Sequence, residues 1–188
     1  TPPAEQFRII IGFTNGPCNY GPSRKLTGQP KEVFAIMNYA VDDNERPIFY
    51  KKVVETVVHE FCHSFTKIKG DTEKALEKSG KALQEYTYFS MRRQAYSTWR
   101  NILEESLVRA ATICYLIDHN YDEKDIRNAI IEQVDRNFFW MPELVQTLRY
   151  YESHRKKYPT FTSFYPEIIR FFDRYVADVE KEIQKALK

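Results

Sequence analysis

The sequence predicts an α+β fold that is predominantly helical, and three observations carry that prediction. Two short runs before residue 50 are rich in β-branched and aromatic residues and end in Gly, Pro and Asn turns. From Asp71 onward the hydrophobic period is helical throughout. Between them lies one valine-rich segment that reads as a helix and contains two of the chain's four histidines. With 188 residues, 43% hydrophobic and 15% aromatic, one domain with a sizeable core is expected over 1–188, β-rich over 1–50 and helical over 51–188.

Taken in order, Phe7 to Phe13 (Phe-Arg-Ile-Ile-Ile-Gly-Phe) reads as a strand closed by the turn Thr14-Asn15-Gly16-Pro17. Lys31 to Val41 reads as a second strand, and Asn19 to Pro30, rich in Gly, Pro and Ser, as the loop between them. A turn over Asp42 to Pro47 leads into a helix expected from about Tyr50 to Gly70. Helical periods then cover 72–94, 97–117, 122–138, 142–157 and 166–187. Ser97 and Asp122 are expected as caps, and Pro142 and Pro166 in first turns.

Composition excludes several classes. A net charge of +2 from 28 basic and 26 acidic residues gives no reason to expect nucleic acid or an anionic membrane as partner. No apolar run approaches the roughly 20 residues of a membrane span. Cys18, Cys62 and Cys114 fit neither a disulfide framework nor a cysteine metal site, and the last two are expected to be inert buried thiols. The chain opens at Thr1-Pro2-Pro3 without methionine, as a fragment of a longer precursor would.

The chemistry concentrates in His59-Glu60-Phe61-Cys62-His63. Side chains four apart share a helix face, so His59 and His63 can offer imidazole nitrogens to one ion, with Glu60 beside the water that the ion activates. On the helical wheel Lys52, Thr56, Thr66 and Lys67 lie on the histidine side, while Val53, Val54, Val57, Val58, Phe61 and Phe65 form an apolar face for a core. Two histidines alone are equally a solvated pair on a surface helix. A catalytic zinc takes three protein ligands and keeps one position open, so a third ligand is required. Glu105 is the best candidate: Thr98, Asn101, Arg109 and Thr112 share its side of a helix whose far side is Leu103, Leu107, Ala110, Ala111 and Cys114. Arg109, four residues on, is placed to hold the carboxylate. Glu104 is the reserve ligand. An ordinary Glu-Arg helix pair is the alternative to both.

These stretches together carry a resemblance. The motif from His59 to Phe65, the segment Tyr96-Ser97-Thr98-Trp99, and Glu105-Ser106-Leu107-Val108-Arg109-Ala110 resemble a bacterial family catalogued as a domain of unknown function, whose members look like zinc-dependent peptidases of the gluzincin type. Its pattern is His-Glu-x-x-His-Ser-Phe, then Tyr-x-x-Trp running into Asn-Glu-x-Leu-Val-Arg-Ala; here Glu104 stands where Asn is usual. Asn19-Tyr20-Gly21 ahead of the Val33 to Val41 strand is similar too, and the likeness spans most of 18–175. The resemblance implies a zincin-like fold with HExxH on the active-site helix, and export to the periplasm, cell envelope or medium. It implies zinc on His59, His63 and Glu105 with Glu60 as general base, and brings no particular substrate.

Peptide or protein hydrolysis is therefore the expected activity. Tyr96 and His154 are candidates to stabilise the developing oxyanion. Either strand is a candidate to bind an extended substrate by strand addition. The alternative is a zincin-shaped module that binds or holds a partner without hydrolysing it.

Overall fold

A computed structural model describes residues 5–12, 16, 18–48 and 51–188 and is α+β, predominantly helical. The turn expected over 14–17 lies, apart from Gly16, outside the described residues, as do Phe13 and the helix start expected at Tyr50. The chain divides into two compact units, Thr1–Lys67 and Ile68–Lys188.

The first unit is a sheet with one helix on it. β1 (Gln6–Ile11) pairs in parallel with β3 (Glu32–Met37), and β2 (Ser23–Arg24) pairs antiparallel on the other side of β3. β4 (Ala40–Val41) and β5 (Pro47–Ile48) form a separate hairpin, closed by Asp42, whose Oδ1 accepts from Asn44 and Arg46 N–H. Alternation decides which way β3 faces. Val33, Ala35 and Met37 are buried on the side packed by α1 (Lys51–Cys62), and Phe7, opposite Val33, meets Phe61 at 5.1 Å and Phe65 at 6.2 Å. On the opposite side Glu32 is clasped by Arg24 from β2 and by Arg8 from β1 at 2.8 Å.

Three expectations are corrected here. The loop expected over 19–30 contains a strand. Tyr20 exchanges both backbone hydrogen bonds with Ile36 at 2.9 Å, Pro22 O accepts from Phe34 N, and β2 continues the same register. Pro22 has no N–H to return, so the ladder is interrupted there rather than absent. The histidine helix ends at Cys62, not near Gly70. Lys31 Nζ donates to Ser64 O at 2.9 Å and the Thr66 hydroxyl to Cys62 O at 3.2 Å, which satisfies carbonyls that further helix would have used. Phe65 is therefore 41% exposed instead of lying on the core face. Finally, β3 is bonded on both sides, so it has no open edge for strand addition; β1 and β2 have.

The second unit is a helical bundle: α2 (Asp71–Tyr86), α3 (Tyr88–Arg93), α4 (Trp99–Asp118), α5 (Glu123–Asp135), α6 (Met141–Ser153) and α7 (Phe161–Ala186). α4 is the central member, packed by α2 and α6, with α7 against α2. Its Ile102, Leu103, Leu107, Ala110, Ile113 and Cys114 join Leu76, Leu83, Trp140, Leu144, Phe164 and Phe172 in one dry cluster. The buried Trp140 indole donates to the buried Ser106 hydroxyl at 2.9 Å, so that a polar pair inside the core is satisfied. Ser79 of α2 donates to Asp173 of α7. At Gly80 a Cβ would stand 2.5 Å from the Trp99 ring, so the α2 to α4 approach requires glycine there.

Helix boundaries differ from expectation where side chains intervene. The helix expected over 72–94 breaks at Thr87, whose hydroxyl donates to Leu83 O at 2.7 Å. Thr98, not Ser97, caps α4 by accepting from Asn101 N. Pro142 is in the first turn of α6 as expected, whereas Pro166 lies inside α7, which starts earlier on a Thr160 and Ser163 capping box. No helix among the described residues is long and apolar enough to cross a membrane.

Candidate metal centre

The histidine half of the site is built at the end of α1. Its first two turns, Lys-Lys-Val-Val-Glu-Thr-Val-Val, contain poor helix formers, and burial of one face on β3 is what holds them helical. His59 sits in the last turn and His63 in the turn that follows Cys62. Their rings are 5.0 Å apart, nearly perpendicular, and both residues are half-buried. Glu60 between them is buried at 6% exposure. Its backbone is fixed by close approach: a Cβ on Gly21 would lie 1.9 Å from the Glu60 carbonyl oxygen, so glycine at 21 lets α1 rest on the sheet at this residue. Lys31 holds the turn after His63 through Ser64 O, and its Nζ lies 4.5 Å above the Phe65 ring.

The carboxylate half is built on α4. Glu105 is 6% exposed within an otherwise apolar stretch, and Arg109 is held against it, Nε 2.8 Å from Oε1, with the N–H not aimed squarely at the oxygen. Arg109 Nη2 donates to the Tyr96 hydroxyl at 3.0 Å and Nη1 to Gln133 Oε1 at 2.5 Å, while the guanidinium lies 5.1 Å over the Phe138 ring. Burial, and after it the Glu105 charge, pushes Tyr96 above its ordinary pKa, so it stays protonated. Glu104 points elsewhere, accepting from Ile68 N–H at 2.9 Å.

One donor atom from each of His59, His63 and Glu105 lies within 4.8 Å of the others, a group that could hold a metal ion. Two imidazoles and one carboxylate suit a divalent transition metal. His154 is not part of this group: it is exposed at the end of α6, with its ring 3.9 Å from Tyr150 and Nδ1 within 2.9 Å of Tyr150 O. His119 likewise ends α4, stacked 3.8 Å from Tyr115. Burial pushes the Cys62 thiol up to about 12.

Sequence reasoning missed Gln133 and the use of Gly21. Gln133 had a signal: it is the polar member of the stripe Ile126, Ala129, Ile130, Gln133 on α5. No curated protein and no solved structure matches the chain. One family does, over residues 4–171, and on that match the chain belongs to the family described as Domain of unknown function (DUF4932).

Proposed function

We propose that the protein is a zinc-dependent peptidase of the gluzincin type on a zincin-like fold, with His59, His63 and Glu105 as metal ligands and Glu60 as general base. The observation that carries the reading is the convergence of three donor atoms within 4.8 Å, from residue types that suit zinc. It gains support from Arg109, which meets Glu105 in a nearly dry environment where an unanchored carboxylate would swing or protonate. A divalent ion held there supplies a Lewis acid for water and for a substrate carbonyl.

The remaining chemistry belongs to the chain. Glu60 lies beside His59 on the last turn of α1 and is buried. It takes a proton from the attacking water at a carboxylate oxygen and passes it to the departing amine. Arg109 and Tyr96 keep the Glu105 ligand in a single orientation, and Gly21 and Lys31 hold the end of α1 and the turn after it, which carry the other two.

The test combines metal analysis with digestion of a peptide library. Purified protein dialysed against micromolar zinc is expected to retain about one ion per chain, and wild type to cleave where Glu60→Gln is slower by at least about 100-fold. Failure to retain zinc overturns the proposal. Zinc retention with equal silence from both proteins favours a non-hydrolytic module that holds its partner.

A further inference from the structure

The Arg109 guanidinium is tied down far more completely than a helical Glu-Arg pair requires. An exposed pair at i, i+4 contributes a few tenths of a kcal/mol and moves freely. Here Arg109 and Glu105 side chains are 12% and 8% exposed, and three other segments restrain the arginine: Tyr96 ahead of α4, Gln133 on α5 and Phe138 beyond it. Gln133 is itself 8% exposed, and its Nε2 donates to Ala129 O at 3.3 Å, which leaves Oε1 facing the arginine.

The identity of the residue matters. A neutral amide anchors an N–H of Arg109 without competing for its charge, so the cation remains assigned to Glu105. A carboxylate at 133 would divide that charge. Tyr96 works the same way, accepting from Arg109 on a neutral oxygen. Both contacts lie within the second unit.

We propose that Gln133 and Tyr96 are positioning residues for the metal site: they fix Arg109, and through it orient the Glu105 carboxylate for a metal ion. This rests on the metal reading above. Neither touches the ion, and neither adds a ligand. Their effect is to remove the freedom that Glu105 would otherwise lose on binding, so their loss is felt as weaker metal affinity.

The experiment is a cobalt(II) titration of wild type, Gln133→Leu and Tyr96→Phe, following the visible d–d absorption, with thermal melts of each metal-free protein. Gln133→Leu keeps the side-chain bulk and Tyr96→Phe removes a single oxygen, and the melts identify the variants that fold. Each is expected to weaken cobalt affinity by about 10-fold and to shift the band. A folded variant with wild-type affinity and an unaltered band, whatever its melting temperature, overturns the proposal and leaves the metal reading standing. A wild type that takes no cobalt and no zinc overturns both.

Discussion

The two units hold the residues proposed as metal ligands by opposite means. In the first, imidazoles stand half-buried at the end of a short, valine-rich helix, and the backbone around them is set by a glycine contact and one lysine. In the second, a carboxylate is embedded in the central helix of a dry bundle and held by a network of charge and hydrogen bonds. A histidine is neutral over much of its range and tolerates a loosely packed helix end. A buried carboxylate needs a built-in counter-charge before any ion arrives. Within the bundle the proposed carboxylate ligand therefore rests on a counter-charge, whereas within the sheet unit the proposed imidazole ligands rest on backbone packing.

That contrast can be broken most forcefully by removing one proposed ligand from each unit. Glu105→Ala leaves Arg109 buried without its anion and is expected to cost about 3–5 kcal/mol, lowering the melting temperature of the metal-free protein by roughly 10 °C. His59→Ala, at a half-buried position, is expected to change that melt by less than about 1 kcal/mol while abolishing metal uptake just as fully. Melts in chelator, paired with metal analysis, decide it; equal destabilisation would remove the distinction.

A smaller effect sharpens the geometric side. Gly21→Ala forces a methyl into the Glu60 carbonyl, and relief by displacement of α1 is expected to cost about 1–3 kcal/mol and to weaken metal binding without any ligand being touched. An alanine variant with an unchanged melt and unchanged affinity would show that the contact is slack.

The smallest effect is in acid. The hydrogen bond from Arg24, aided by the Arg8 charge, holds the Glu32 carboxyl below its ordinary 4.5, so this group stabilises the sheet unit above that value and the contribution is lost as pH falls through the lowered one. In the bundle the sign reverses. Burial, then the Asp118 charge, pushes Glu152 upward, so its ionisation opposes folding at neutral pH and the opposition is relieved as pH falls. Melts between pH 7 and 3 are expected to show Glu32→Gln flattening the acid loss and Glu152→Gln steepening it.

The helical bulk was legible because period and caps are local. α4 and α6 begin within two residues of expectation, and the capping box at Thr160 and Ser163, which places the true start of α7, was there to be read. What escaped depends on partners distant in sequence. Nothing near Cys62 says that Lys31, more than 30 residues earlier, takes the carbonyl of Ser64, so the helical pattern through Phe65 and Thr66 reads as helix. β2 was hidden by Pro22, which interrupts the ladder that its neighbours continue. Of the candidate site, the four-residue spacing of Glu105 and Arg109 is matched by an ion pair between them. The role of Gln133 as an anchor required knowing where α5 lies against α4.

The Phe7 ring, lying from β1 against Phe61 and Phe65, has a practical consequence for anyone shortening the protein from its amino end. Truncation past Ile11 would strip a strand from β3 and uncover two aromatic rings flanking His63. Trimming intended only to tidy the terminus would then be misread as a defect in the histidines, so a safe boundary lies ahead of Gln6.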